Sequence, residues 1–332
     1  MRAVVVREFG GIESAALGDV AKPAPKAGEV LLEIHATAVN FVDLVMMSGK
    51  YQFSPELPFV PGKLPAGVVA AVGPGVTSFK VGDRAIAMAE QGGFAEFVAR
   101  PENQCIRLPA SIGFIEAAAM ALVYDTAYFA LRDRARIAPG ETVLVLGATG
   151  GVGLAAIQLA KVMGGRVFAG IASKDKADIV AGADAVIDLG APDLNESLRA
   201  QVFALTEKRG VDIVLDMLGG DAFDAALRAV AWRGRVVVIG FAAGRIPTVK
   251  VNYLMVKNIE VSGLQISDYR KRRPADLAAC FQEIFAWHAA GKLAPLPTKV
   301  YPLEKFATAM HDIRDRKARG RVVLAIRSPN GA

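Results

Sequence analysis

Apolar and polar positions alternate over short spans in the first third of the chain. AVVVRE and EVLLEIHATAV alternate or run apolar, as half-buried strands do. PAPKAGE, VGPGVTSFKVGD and AEQGGFAEF place turn residues between such runs. The pattern predicts a β-rich domain over residues 1–120 with a Greek-key or barrel-like core. From about residue 113 the period lengthens: IEAAAMALVYDTAYFALRDRA is helical in spacing and rich in Ala and Leu.

Beyond Glu141 strands and helices alternate. Strands are predicted at 142–147, 166–172, 185–189, 211–218 and 235–240, with helices at about 151–163, 174–181, 193–209 and 221–231. The strands are apolar along their whole length, as strands buried on both faces of a parallel sheet are. Right-handed crossovers then give an α/β, doubly wound sheet of Rossmann type over residues 121–262. In the last segment, 263–332, the alternation stops. One helix fits 275–290, with Pro274 at its start and Gly291 past its end. Another fits 303–318, where Phe306, Met310 and Ile313 share a face, and GRVVLAIR closes the chain as a strand-like run.

Composition narrows the class. The 332 residues are 53% hydrophobic and 22% charged, the balance of a folded chain long enough for about two domains. Lys and Arg number 39 against 33 Asp and Glu, a formal charge of +6. Residues 261–332 hold 13 of the cations and 6 of the acids, so the whole positive balance sits in this last segment. RKRR at Arg270–Arg273 and RDRKARGR at Arg314–Arg321 carry much of it. Such runs read first as solvated faces and second as an attraction for an anionic substrate or RNA. Two cysteines, Cys105 and Cys280, exclude a four-cysteine zinc site, and the three histidines are far apart in sequence. No apolar run reaches 18 residues, so no membrane span is expected, and the N-terminus does not read as a signal peptide. A cytoplasmic protein is the expectation.

The motif that carries chemistry is TVLVLGATGGVGLAAIQLAKVMGG. A buried strand ends at Gly147, and a helix opens near Gly151. Gly147, Ala148, Gly150, Gly151, Val152 and Gly153 form the turn between them. A turn without side chains lets backbone N–H groups approach a pyrophosphate, while the helix N-terminus adds partial positive charge. Gly153 also permits close helix–sheet packing. After the second strand the sequence reads FAGIASKDK: Ser173, Lys174 and Lys176 stand where an acid would select NAD. Two lysines there favour NADPH.

With these motifs in place, the chain resembles zinc-free medium-chain dehydrogenases/reductases of the quinone oxidoreductase (zeta-crystallin-like) type. The resemblance is carried by AVNFVDLVMMSGKY, PFVPGKLPAGVVAAVGPGVTSFKVGDR, GGFAEF, LVYDTAYFAL, GATGGVG, DMLGG and ARGRVVL, and covers essentially the whole chain. It implies a GroES-like catalytic domain with an inserted Rossmann domain, completed by the C-terminal return. It implies a homodimer formed through the Rossmann sheet edge, with NIEVSGL at 258–264 as the candidate strand. It also implies metal-free reduction of a quinone by NADPH; the alternative acceptor is an α,β-unsaturated carbonyl or enoyl thioester. A non-catalytic nucleotide- or RNA-binding role on the same fold is the alternative of another class, though nucleic acid and membrane are not expected partners.

The resemblance also assigns residues. Asn40 and Lys63 match positions that supply Cys and His zinc ligands in metal-dependent relatives, and neither is such a ligand. Asn40 is expected to face the nicotinamide or substrate, and Tyr51 to border the cleft and donate to a developing oxyanion. Thr126, Leu218, Gly240 and Phe241 are expected cofactor contacts, with Gly240 keeping its turn open, and Ser173 and Lys176 are expected at the 2′-phosphate. Leu64, Leu189 and Val45 depart from usual family residues and make the cleft more apolar. Tyr301 and Lys305 form a Y-x-x-x-K spacing read as chance, and the histidines and cysteines are read as structural.

Overall fold

The computed structural model of the chain describes residues 1–327. The last five residues of the segment 263–332 therefore lie outside the described residues. The chain folds into two compact units. The first comprises residues 1–122, 267–289 and the chain from 295 onward; the second comprises residues 123–266 and 290–294.

The first unit opens with a hairpin of β1 (Arg2–Val6) and β2 (Ala15–Asp19). The long strand β3 (Glu29–Val39) runs directly into helix α1 (Phe41–Met47), and β4 (Lys63–Val72) returns against it. β5 (Arg84–Ala87), β6 (Phe97–Pro101), β7 (Cys105–Arg107) and helix α2 (Phe114–Met120) follow. Alternation along β3 buries Val30, Leu32, Ile34 and Ala36 in the interior.

The second unit begins with α3 (Val123–Phe129) and then winds through β8 (Thr142–Leu146), α4 (Gly151–Val162), β9 (Arg166–Ile171), β10 (Ala185–Asp188) and α5 (Leu194–Leu205). It continues with β11 (Val211–Asp216), α6 (Gly220–Ala229), β12 (Val230–Val238), α7 (Val251–Lys257) and β13 (Glu260–Gly263). All six strands are parallel, in the order β10-β9-β8-β11-β12-β13. Val143, Leu144, Val145 and Leu146 have no exposed surface, as a strand covered by helices on both faces requires.

Returning to the first unit, the chain forms α8 (Ile266–Arg272), α9 (Pro274–Ala289), β14 (Thr298–Pro302), α10 (Phe306–Arg314) and β15 (Arg321–Ala325). β15 pairs antiparallel with β3, so the end of the chain completes a seven-stranded sheet whose main path is β14-β15-β3-β4-β5-β7, with β6 paired to β3. Phe306 and Met310 of α10 are buried, while Ile313 is half-buried.

Two local readings are corrected and one is refined. The segment 174–181 is a 3-10 turn over Lys174–Val180 instead of an α-helix. The helical run Phe114–Arg134 is 21 residues long and apolar enough by length and composition to cross a membrane. It mixes apolar residues with a few charges, and 72% of its most apolar stretch is buried inside the fold, as in a core helix. Finally, the basic runs are not simply solvated faces. Arg270 and Arg321 are both buried, whereas Lys271, Arg272, Arg273, Arg314 and Arg316 are exposed.

Candidate functional site

In the second unit, the segments carrying predicted nucleotide contacts follow the C-terminal ends of β8, β9, β11 and β12. In a parallel sheet these ends lie along one edge, where such folds bind ligands. Gly147 leaves β8 with φ +78°, a left-handed conformation that glycine adopts without strain. Gly153 is glycine for want of space: a Cβ there would stand 2.5 Å from the Gly147 carbonyl oxygen and 2.6 Å from Ala148 Cα. The first turn of α4 can therefore sit directly on the turn that precedes it. Among the described residues, no side chain caps Gly150 and no acid occupies the first turn of α4. Its leading N–H groups and the positive end of its dipole are thus available to an anion. Gly151 and Val152 are half-buried in this turn, and Ala148 is fully buried beneath it. A diphosphate fits this cradle.

Ser173 and Lys174 follow β9. The Ser173 hydroxyl donates to Asp175 Oδ1 at 2.6 Å. Lys174 Nζ lies 3.0 Å from Asp188 Oδ2 at the end of β10, and this pairing holds the Asp188 carboxyl below its usual range. No acid stands directly at the end of β9, as expected, but the neighbouring strand supplies one to Lys174. Lys176 lies in the same 3-10 turn.

After β11, the buried Asp216 carboxylate accepts N–H bonds from Leu218 and Gly219, both at 2.9 Å. Burial pushes this carboxyl up, and the two N–H bonds oppose the shift. Leu218 closes over Gly147, whose added Cβ would meet the leucine at 3.0 Å. Phe241 packs against Gly219, where an added Cβ would lie 3.0 Å from its ring. Gly240 has an ordinary φ and room for a Cβ at 3.5 Å from the Met217 carbonyl oxygen. The crowded glycine of this corner is therefore Gly219, at φ +66°, and the expected need for glycine at 240 is not met. Thr126 is buried as the fourth residue of α3.

In the first unit, Asn40 links β3 to α1. Its side-chain carbonyl accepts a bond from Arg321 Nη2 at 2.9 Å, and its amide nitrogen donates to the Ala38 carbonyl at 3.1 Å. Arg321 also donates to the Ala119 carbonyl at 2.8 Å. Asn40 is thus held from the C-terminal strand, and its oxygen is engaged by the protein itself. Beside it, the fully buried Asp43 accepts N–H bonds from Asn40 at 2.8 Å and Gly62 at 3.3 Å. Burial pushes the Asp43 carboxyl up to about 6, against the pull of these bonds and of Lys63.

Tyr51 borders a cleft of about 150 Å³ shared with Met46, Phe53, Lys63, Glu90 and Lys271. Phe53 meets the Tyr51 ring edge-on at 6.1 Å. Lys63 opens β4 and has a side chain only 2% exposed. The turn after β5 brings Glu90 to it, with Nζ and Oε2 2.5 Å apart. Helix α8 contributes Arg270, 2.8 Å from Glu90 Oε1, and Ser267, whose hydroxyl donates to Oε2 at 2.8 Å. Burial would raise the Glu90 carboxyl, but Arg270 and Lys63 overcome it and hold the group at about 2. The same Lys63 ammonium lies 5.5 Å from the Tyr51 ring centre.

Local spacing in the sequence does not reveal this Lys63–Glu90–Arg270 cluster. The family resemblance marks Lys63 only as a residue that replaces a metal ligand, and composition marks Arg270 only as part of a basic run. The available signal was a lysine opening an otherwise apolar strand, since such a cation requires a buried acid. Leu64 next to it is fully buried at φ +50°. Val45 of α1 is half-buried, and Leu189 joins the core of the parallel-sheet unit.

The remaining candidates carry structural roles. Tyr301 donates to Asp312 at 2.6 Å, outside any arrangement with Lys305. His35 stacks on Phe114 with ring centres 4.3 Å apart, and His288 Nε2 lies 2.8 Å from Glu116. Cys105 and Cys280 are buried and outside any disulfide, and burial pushes the Cys105 thiol up to about 12. Among the described residues, no group of three or more His, Cys, Asp or Glu side chains is placed to hold a metal ion.

Two family models match the chain: an alcohol dehydrogenase GroES-like domain at residues 26–110 and a zinc-binding dehydrogenase domain at residues 151–283. A quinone oxidoreductase-like protein 2 homolog of Nematostella vectensis is 37% identical over 300 residues, covering 89% of this chain and 81% of its own. The crystal structure of a quinone oxidoreductase from Pseudomonas syringae pv. tomato superposes with a TM-score of 0.91 at 32% identity, over 98% of this chain and 99% of that one. A mycobacterial structure complexed with NADPH superposes with a TM-score of 0.90 at 32% identity, over 98% and 100% of the two chains.

Proposed function

The chain belongs to the quinone oxidoreductase-like branch of the medium-chain dehydrogenase/reductase family, and on that premise we propose that it reduces a quinone with NADPH, without a metal ion. The observation that carries the reading is the backbone cradle at Gly147–Gly153, where side chains are excluded and an uncapped helix N-terminus is offered to a diphosphate. The parallel-sheet unit binds NADPH there, and the bound cofactor supplies the hydride.

The residues of this chain have the remaining tasks. Gly147, Ala148, Gly150, Gly151, Val152 and Gly153 hold the diphosphate by backbone N–H groups. Ser173, Lys174 and Lys176 serve the 2′-phosphate, with Lys174 exchanging Asp188 for it. Leu218, Gly240 and Phe241 flank the nicotinamide end, and Thr126 is a further contact. Asn40 orients the acceptor through an amide N–H, because its oxygen is engaged by Arg321. Tyr51 donates a hydrogen bond or proton to the oxyanion that develops as the acceptor takes up hydride.

Independence from zinc is supported by the chemistry of the donor set. Lys63 places a buried ammonium, already paired with Glu90, where zinc-dependent relatives have a ligand. A homodimer is supported by β13, an edge strand, and by α7 beside it in sequence. There Val251, Met255 and Val256 are 77%, 73% and 71% exposed. Two buried cysteines outside any disulfide agree with a cytoplasmic location.

The test is NADPH oxidation with 1,4-benzoquinone and 9,10-phenanthrenequinone, before and after treatment with a chelator. Turnover unaffected by the chelator is expected. Its absence with every quinone would overturn the reading, and its loss on chelation would overturn metal independence.

A further inference from the structure

Lys63 opens β4 with a side chain only 2% exposed, yet that side chain lines the cleft shared by Tyr51, Phe53 and Met46. An ammonium has three N–H groups. Among the described residues, Glu90 is the one hydrogen-bond partner of this ammonium, through Oε2 at 2.5 Å. Two of its N–H groups therefore have no protein acceptor among those residues. Buried donors are nearly always satisfied, and one left unmade is costly, so the exception calls for an acceptor from outside the chain. The ammonium is also fixed in place. Glu90 Oε2 accepts the Ser267 hydroxyl and Oε1 accepts an Arg270 N–H, each at 2.8 Å, so the carboxylate that holds Lys63 is itself held from α8. A donor set before the acceptor arrives needs no reorganisation when charge develops. Nζ lies 5.5 Å from the Tyr51 ring centre, so an acceptor seated against that tyrosine brings its carbonyl oxygen within reach of Lys63.

We propose that Lys63 is a catalytic residue: its ammonium donates an N–H bond to the carbonyl oxygen of the acceptor, and the bond tightens as that oxygen takes up negative charge. The acceptor gains a hydride from NADPH, leaving NADP⁺. The electron pair displaced from its π-system settles on the oxygen. One proton from water, passed directly or through Tyr51, completes the reduced product. Lys63 keeps its three protons throughout, so it stabilises the oxyanion and does not supply its proton. Glu90 is the positioning residue that aims the ammonium.

The proposal rests on the reductase reading, so its test has one arm with turnover and one without. In the first, kcat and KM are measured with NADPH and 1,4-naphthoquinone for the natural chain and for Lys63→Met, whose side chain is apolar and of similar length. About a hundredfold fall in kcat is expected, with the Kd for NADPH unchanged within about twofold. Lys63→Met leaves Glu90 short of a partner, so Lys63→Met/Glu90→Gln, which removes both charges of the pair, is the second variant. Folding of each is checked by circular dichroism. A kcat within about threefold of the natural value in either folded variant overturns the proposal.

In the second arm, 4-nitrophenol stands in for the oxyanion, and its ionisation on the protein is read by absorbance without NADPH. A bound probe that ionises more readily than the free one, with the gain lost in a folded Lys63 variant, supports the assignment. Failure of the natural chain to bind the probe, ionisation no easier than in water, or a gain that survives in the variant overturns it. Should no quinone be turned over, the reductase reading falls and this arm alone decides for or against Lys63.

Discussion

The two candidate sites are built from different materials. The cradle at Gly147–Gly153 is made of backbone: its selectivity comes from side chains that are missing, and a single Cβ at Gly153 would strike main-chain atoms at 2.5 Å. The cleft at Tyr51 is made of side chains. Lys63, Glu90 and Arg270 arrive from a strand, a turn and a helix, and each is tolerable there because of the others. A backbone site fails when something is added, whereas a charge cluster fails when something is removed.

Removing Glu90 should therefore have the largest effect. Glu90→Gln takes from the buried Lys63 the carboxylate it is paired with and should cost about 3–5 kcal/mol in urea denaturation. A loss below about 1 kcal/mol would mean that pairing does not hold the cluster together.

Stability against pH separates two acids of the same unit. The Asp43 carboxyl is raised to about 6, so the folded state binds its proton more tightly than the unfolded chain does. Its contribution is fully present below about pH 4 and is lost as pH rises through 6, a change of about 3 kcal/mol. The Glu90 carboxyl is held at about 2, so its contribution is present above about pH 4.5 and lost as pH falls through 2. Asp43→Asn should flatten the stability profile between pH 4 and 7, measured by denaturation across that range. An unchanged slope would show that Asp43 does not titrate there.

In the backbone-built site, Gly153→Ala should cost about 1–3 kcal/mol through overpacking, with NADPH binding weakened more than tenfold in a fluorescence titration. Lys176→Glu should move cofactor preference from NADPH toward NADH by about tenfold in Kd, roughly 1.4 kcal/mol. An unchanged preference would place the 2′-phosphate elsewhere. Gly240→Ala should be the mildest, within about 0.5 kcal/mol by the same denaturation assay, because a Cβ has room there. Equal damage at Gly240 and Gly153 would refute close approach as the reason for glycine.

The contrast between the sites also explains what could be read early. The alternation from Glu141 to Gly263 forecast a parallel sheet, and the spacing of Gly147, Gly150 and Gly153 forecast the cradle. Both depend on neighbours along the chain: periodicity decides which face is buried, and a turn needs small residues within seven positions. Gly219 was within reach as part of DMLGG, yet its crowding against Phe241 depends on two strand ends meeting.

The charged residues were another matter. Arg270 and Arg321 look like their exposed neighbours Arg272 and Arg319 in sequence, because a residue's type does not record its burial. Only the approach of α8 to the turn after β5, and the pairing of β15 with β3, turned two surface-like arginines into interior supports. The sequence by itself determined the elements, the glycine cradle and the family, since these are written in local spacing and ordered motifs. The tertiary structure alone decided which charges meet. Whether an ion is buried, and what compensates it, depends on segments that the fold brings within 3 Å of each other across about 200 residues of chain.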